Sequence, residues 1–407
     1  MNINKKTIKD IALAGKRVVM RVDFNVPVKN GKVGDDTRIT AAVPSIKYIL
    51  EKGASLVLLS HLGRPDGQVA LEYSLKPCAD RLSELLGKQV KFASDCVGDA
   101  VVAQANALKP GEVMVCENTR FHKEEDMKTK TDEDKQKMRG FAKELAKLGN
   151  VYVNDAFGTA HRAHASTAVI TEFLDKSNCV AGFLMDKELQ YLGKAVANPE
   201  RPFVAIIGGA KVSGKLEVLS SLMEKVDTIL IGGGMAYTFL KALGHKIGGS
   251  LCEDDLLEIA KATLKKAEEK KVKFLLPVDN IIADKFDNAA NTKVVGNDIE
   301  DGWMALDIGP KTVELYSKEI ASAKTVVWNG PMGCFEMPKF ANGTMSVCKA
   351  VADSKSVSII GGGDSVSAVN QSGLADKMSH ISTGGGASLE FLEGKTLPGV
   401  AVLADKE

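Results

Sequence analysis

Four glycine clusters mark the second half of this chain. They are Gly208-Gly209-Ala210-Lys211, Gly232-Gly233-Gly234, Gly361-Gly362-Gly363-Asp364-Ser365 and Gly384-Gly385-Gly386. Glycine lets the backbone approach a ligand closely. A helix that follows adds unpaired N–H groups and a positive dipole end, which favour phosphate. One such turn is equally well a simple tight turn. Four, all at expected strand ends of one domain, point to a nucleotide site. The standard fingerprints are incomplete. Gly209 to Lys215 nearly forms a P-loop, but Leu216 stands where Ser or Thr would hold magnesium. Gly232-x-Gly234 and Gly361-x-Gly363 lack the last glycine of the dinucleotide motif, with Tyr237 and Val366 in its place. Hydride transfer is therefore disfavoured. Lys211 and Lys215 are four apart and would share a face of a helix, within reach of phosphate oxygens. Lysines so spaced usually line a solvated face, but these follow a buried strand through Gly208-Gly209. Asp364 can be a helix N-cap, a magnesium ligand, or both through different oxygens.

The first half carries charge where the second carries glycine. Expected strands lead into Asp23-Phe24-Asn25, Ser60-His61-Leu62-Gly63-Arg64, Glu117-Asn118-Thr119-Arg120 and Asn154 to Arg162, and Arg38 follows the turn region Gly31–Asp36. Each arginine alone is most often a surface residue. Arg38, Arg64, Arg120 and Arg162 at the strand ends of one sheet can converge, and the guanidinium fork matches carboxylate and phosphate. Asp23 and Asn25 would hold hydroxyl groups or orient these cations. The implied ligand is small, anionic and hydroxylated.

These loops need elements to hold them. Apolar runs at Arg17–Val22, Ser55–Leu59, Val113–Cys116, Val151–Val153, Phe203–Ile207, Thr228–Ile231, Phe274–Leu276, Thr325–Trp328 and Val357–Ile360 suit strands buried on both faces. Helical patterns alternate with them at Ala41–Lys52, Leu75–Leu86, Glu217–Val226, Asp254–Lys270, Val366–Gln371 and Ala387–Leu392. The alternation predicts parallel sheets built from βαβ units. An amphipathic helix at Met185–Asn198, followed by Asn198-Pro199-Glu200-Arg201-Pro202, reads as a hinge. The charge-dense stretch Lys123–Arg139 reads as a solvated helix or loop because its signs are mixed. At 407 residues, two or three domains are expected. A net charge of +1 gives no support for a nucleic-acid or membrane footprint. The stretch Met1 to Asp10 is polar, and no apolar run suits a bilayer. Seven scattered cysteines without a CxxC pair read as reduced thiols of a cytoplasmic protein. His161 and His164 stand without a Cys or His cluster, which argues against zinc.

Arg21-Val22-Asp23-Phe24-Asn25-Val26-Pro27, Ser60-His61-Leu62-Gly63-Arg64-Pro65, Gly208 to Ser213, Trp328-Asn329-Gly330-Pro331 and Gly361 to Ser365 together resemble the phosphoglycerate kinase family, in order and over essentially the whole chain. The resemblance implies an α/β fold of two Rossmann-like domains with parallel sheets, joined by an interdomain helix and hinge. The expected limits are 1–184 for the phosphoglycerate domain, 185–202 for the helix and hinge, and 203–391 for the nucleotide domain. The tail 392–407 is expected to return to the first domain. The implied reaction is reversible transfer between 1,3-bisphosphoglycerate and ADP, giving 3-phosphoglycerate and ATP with magnesium, a glycolytic step of a monomer. Asp23, Phe24, Asn25, Arg38, His61, Leu62, Gly63, Arg64, Arg120 and Arg162 would form the phosphoglycerate site. Gly209, Lys211, Lys215, Gly233, Leu306, Asn329, Glu336, Gly362, Gly363, Asp364 and Ser365 would form the nucleotide site, with Glu336 on ribose and Asp364 on magnesium. Arg38 and Lys215 would stabilise the transferring group, with Lys211 on the nucleotide phosphates and backbone N–H groups from Gly363 and Gly386 near the same charge. Three positions stand out against the pattern. Ala305 lies where glycine is expected beside the adenine pocket, Gly214 occupies a variable position, and Leu216 fits the family while spoiling the P-loop. No catalytic base is required, since the acceptor oxygen is already an anion. Two rivals are a phosphotransferase for another carboxylate and a non-catalytic nucleotide binder. The arginine set argues against the first, and Arg38, Lys211, Lys215 and Asp364 argue against the second.

Overall fold

The computed structural model describes residues 2–406. Met1, which begins the polar stretch read above, and Glu407, which ends the tail, lie outside the described residues. The chain forms two compact units, Met1–Gln190 with Thr396–Glu407, and Tyr191–Lys395. The division falls within the helix Phe183–Ala197. No helix among the described residues is long and apolar enough to cross a membrane.

The first unit is built on a six-stranded sheet. Its order is Lys91–Ala93, Val113–Cys116, Ser55–Leu59, Arg17–Arg21, Val151–Asn154, Cys179–Ala181. Every pairing in it is parallel. Val18, Val19 and Met20 of the central strand are wholly buried, as a strand covered on both faces requires. The chain leaves Arg17–Arg21 on one side for Ser55–Leu59 and later returns on its other side as Val151–Asn154. That reversal opens a crevice at the carboxyl end of Arg17–Arg21. The tail belongs to this unit. Gly399 N donates to Ala160 O at 2.8 Å, and Asn154 Nδ2 donates to Gly399 O at 3.1 Å.

The second unit repeats the plan. Its sheet runs Lys273–Leu275, Thr228–Ile231, Phe203–Ile207, Thr325–Asn329, Val357–Gly361, His380–Ile381, again all parallel. The switch point lies between Phe203–Ile207 and Thr325–Asn329, so the crevice opens beside Gly208 and Gly330. Four expectations need correction. The second unit also holds a three-stranded antiparallel sheet, Thr292–Val295, Asn280–Ala283 and Met304–Ile308, which the alternating pattern did not predict. Lys211 and Lys215 do not share a helix. The helix starts at Leu216, because the chain turns through Ser213 to Lys215 first. Asp364 is not an N-cap: the cap is Gly362, and Asp364 sits in the first turn of the helix Gly363–Ser372. The run Lys123–Arg139 splits into a short turn, Lys123–Glu125, and a helix, Asp132–Ala146. Glu125 is wholly buried there, against the expectation of a solvated segment.

Candidate active site

In the first unit, Asp23 and Asn25 follow the central strand and organise the cations around them. Arg38, in the first turn of the helix Thr37–Glu51, donates from Nη1 to Asp23 Oδ2 at 3.0 Å and to Asn25 O at 3.3 Å. Gly63 N donates to Asn25 Oδ1 at 3.0 Å, and Arg120 Nη1 donates to Gly63 O at 2.9 Å. Arg120 also pairs with Asp126 at 2.8 Å, and burial lowers its pKa. Asp23, Asn25, Arg38, Gly63 and Arg120 are thus one connected set. Arg64 and Arg162 are exposed at the ends of neighbouring loops. Phe24 and Leu62 belong to the hydrophobic core, so only their backbone is offered to a ligand. His61 is buried at 4% exposure, and Arg21 Nη2 lies 3.1 Å from its Nδ1.

Beneath His61 lies a network that the sequence did not disclose. Arg21 Nε donates to Ser166 Oγ at 2.7 Å, and Ser166 N donates to Glu125 Oε2 at 3.1 Å. The Arg21 and Glu125 side chains are 1% and 0% exposed. Burial is the main reason that Glu125 is pushed up and His61 held well below its ordinary value. His164 is pushed down to about 3, by burial and then by Arg120 and Arg21. These histidines are neutral at physiological pH. The available signal was Arg21 itself, an arginine closing a strand directly after the apolar Val18, Val19 and Met20.

In the second unit, two clefts meet at the switch point. One, of about 360 Å³, is lined by Gly208, Lys211, Lys215, Asn329, Gly362 to Ser365, Gly385 and Gly386. The other, of about 680 Å³, is lined by Gly233, Leu251, Phe286, Leu306, Met337 and Glu336 among others. Gly209, Ala210, Pro331 and Asp364 line both. The first is polar and cationic, the second mostly apolar, with the Glu336 carboxylate besides the shared Asp364. A phosphate chain with a purine nucleoside has that division of character.

Close backbone contact builds the polar cleft. A Cβ on Gly208 would stand 2.0 Å from Pro331 O, so no larger residue fits between these strands. Gly362 has φ +88°, and a Cβ there would press on Asn329 Nδ2 at 2.9 Å. Lys215 Nζ donates to Asn329 Oδ1. Asn329 Nδ2 is buried with no hydrogen-bond partner, an amide waiting for an acceptor. Burial lowers the Lys215 pKa, against the pull of Asp364 and Glu393. Its charge is poorly hydrated and therefore strong in its effect on a bound anion. Ser365 Oγ accepts from Gly330 N at 2.6 Å, which ties the glycine loop to the strand end Thr325–Asn329. The Asp364 carboxylate has no hydrogen-bond or ion-pair partner among the described residues. Its oxygens suit a hard divalent cation. Ala305 lines the apolar cleft, and its N–H is held by Ser250 Oγ at 2.9 Å. The apolar wall of Leu251 and Phe286 was not foreseen. Both are strongly exposed, at 61% and 67%, which the cleft they border explains.

The family model described as "Phosphoglycerate kinase" matches residues 8–395. A phosphoglycerate kinase of Chloroherpeton thalassium is 58% identical over 407 residues, covering 99% of this chain and all of the relative. One of Clostridium botulinum is 56% identical over 409 residues, covering both chains completely. The solved structure of phosphoglycerate kinase from Coxiella burnetii is 42% identical with a TM-score of 0.88, covering 98% of each chain.

Proposed function

The chain belongs to the phosphoglycerate kinase family, and we propose that it grips its two substrates on separate units and stabilises the phosphoryl group in transit with Arg38 and Lys215. Its reaction is the family's reversible glycolytic transfer, from 1,3-bisphosphoglycerate to ADP, giving 3-phosphoglycerate and ATP. It is a kinase with a carboxyl group as acceptor.

The observation that carries the residue assignments is the pair of joined clefts in the second unit. The polar one, with Lys211, Lys215, Asn329 and the helix start at Gly363, suits the phosphates. The apolar one, with Leu306 and Glu336, suits adenine and ribose. In the first unit, the Asp23–Arg38–Asn25–Gly63–Arg120 set suits an anion bearing a hydroxyl group, with His61, Arg64 and Arg162 beside it. Asp364 would hold magnesium, which supplies charge neutralisation on the nucleotide phosphates. Lys215 meets the charge that spreads over the phosphoryl oxygens, and N–H groups at Gly363 and Gly386 add to it. Arg38 does so from the acceptor side. No proton need move, because the accepting oxygen is already an anion in either direction, a phosphate oxygen of ADP or the carboxylate of 3-phosphoglycerate. In-line transfer demands that both substrates come within reach and that water be kept out, so the reading requires the units to close during turnover. The working form is a cytoplasmic monomer.

The test is a coupled assay with 3-phosphoglycerate, ATP and magnesium, run beside an Arg38→Ala control. Turnover in the parent protein that is lost by at least about a hundredfold in the control is the expected result. Equal turnover in both would remove Arg38 from the mechanism.

A further inference from the structure

We propose that Arg21 is a positioning residue: it locks His61 in the neutral tautomer that carries its proton on Nε2, so that His61 presents one fixed hydrogen-bond donor to the anion. This rests on the substrate assignment above. The geometry leaves one tautomer. Arg21 Nη2 lies 3.1 Å from His61 Nδ1, and a guanidinium has donors only. Nδ1 must therefore accept, with its lone pair bare. A neutral imidazole has one proton, which must then sit on Nε2. Nε2 has no hydrogen-bond partner among the described residues. A phosphate or carboxylate oxygen only accepts, so an N–H is what it needs from this ring.

Arg21 is itself held from rotating. Its Nε donates to Ser166 Oγ and its Nη1 to Val22 O, while Glu125 Oε1 stands 3.9 Å from Nη2. Ser166 Oγ in turn donates to Glu125 Oε1. The charged and titratable groups facing His61 are Arg21 on its own sheet, Arg38 from the helix Thr37–Glu51, Arg120 from the turn Thr119–Phe121, and His164. Every one is basic. The acids of the neighbourhood, Asp23, Glu125 and Asp126, are engaged with Arg38, Arg21 and Arg120 respectively. Burial and these cations both disfavour imidazolium. His61 is then a donor whose strength stays constant across physiological pH, where a titrating histidine would bind the anion more tightly as pH fell.

The experiment is long-range 1H–15N correlation spectroscopy on the full-length protein labelled at its six histidines, with His61 assigned by loss of its signals in His61→Gln. The expected spectrum shows His61 with bare Nδ1 and protonated Nε2, unchanged between pH 5.5 and 8, with a shift at Nε2 on adding 3-phosphoglycerate. A proton on Nδ1, or an imidazolium at pH 7, overturns the proposal. The right tautomer with no shift at saturating 3-phosphoglycerate, while calorimetry reports binding, overturns the donor role but leaves the site standing. Absence of binding by calorimetry overturns both. Kinetics give a second readout. Arg21→Lys, whose ammonium also only donates, should keep the tautomer and the pH-independent KM. Arg21→Met paired with Glu125→Gln should raise the KM for 3-phosphoglycerate about tenfold near pH 8 and make it fall on acidification, with kcat nearly unchanged. Equal losses in the Lys and Met variants, with the wild-type tautomer intact in both, would reduce Arg21 to a packing role and overturn the proposal.

Discussion

Lys215 carries the heaviest share of the proposed chemistry, and its surroundings say why. It is a cation pushed toward deprotonation by burial and held charged by Asp364 and Glu393. Its ammonium already donates to Asn329 Oδ1, so it is placed before any ligand arrives. A group fixed in this way acts most on the charge that develops during transfer. Lys215→Ala should lower kcat by roughly 10²–10³-fold, with the nucleotide Kd moving far less. Single-turnover kinetics beside calorimetric binding measure both quantities. A collapse of nucleotide affinity with turnover per bound complex intact would reassign Lys215 to ground-state binding. Lys211 differs, since it is exposed and outside the helix. Its loss should appear first in KM for the nucleotide.

At the scale of elements, the polar cleft exists because two strands meet through glycine. A Cβ on Gly208 would meet Pro331 O at 2.0 Å and Gly330 O at 2.7 Å, both backbone atoms that cannot swing aside. Gly208→Ala should therefore destabilise the second unit by about 1–3 kcal/mol and weaken nucleotide binding. Gly363 has open space around its Cβ position, and Gly363→Ala should leave stability within about 0.5 kcal/mol. Denaturant titration of the two variants checks the contrast, and equal effects would contradict it. The same close packing explains what could be read from sequence. Strands buried on both faces were readable to the residue at Ser55–Leu59, Phe203–Ile207 and Thr228–Ile231, because nothing but apolar side chains suits that position. The edge strand Lys91–Ala93 and the strand Thr292–Val295, exposed over three of its four residues, carry no such run and escaped notice. Glycines and arginines of the site were readable because they follow those strands directly. Leu251 and Phe286 were not, because they reach the cleft from loops that belong to none of the four glycine clusters. Glu125 looked solvated in a mixed-charge run, since the residue that accounts for its burial, Arg21, lies about a hundred positions away in the sequence.

Across the whole molecule, the two units should answer differently to acid. In the first, burial holds His61 and His164 below the ordinary 6.5, His164 at about 3. Once pH falls below about 6.5, the unfolded chain binds protons that the folded unit refuses, and stability is lost. Asp155 and Glu125 oppose this, with pKa values raised by burial, Asp155 to about 7. Below that value the folded unit takes a proton that an unfolded aspartate, at 3.8, does not, so stability is gained. The first unit therefore sits near balance. The second has Asp307, raised by burial to about 7. Its lowered carboxylates, such as Glu217, Asp254 and Asp353, begin to cost stability only as pH approaches the ordinary carboxylate range. Between about pH 8 and 5.5 the second unit should thus gain stability relative to the first. The tryptophans make this visible, because Trp303 and Trp328 both lie in the second unit. Urea unfolding followed by tryptophan fluorescence should shift to higher midpoints as pH falls through this range, while far-ultraviolet circular dichroism, which weighs both units, should shift less. A fluorescence midpoint that stays flat across the same interval would mean that Asp307 is ionised in the folded unit, its charge carried by the N–H groups of Gly343 and Ile308 at 2.7 and 2.9 Å.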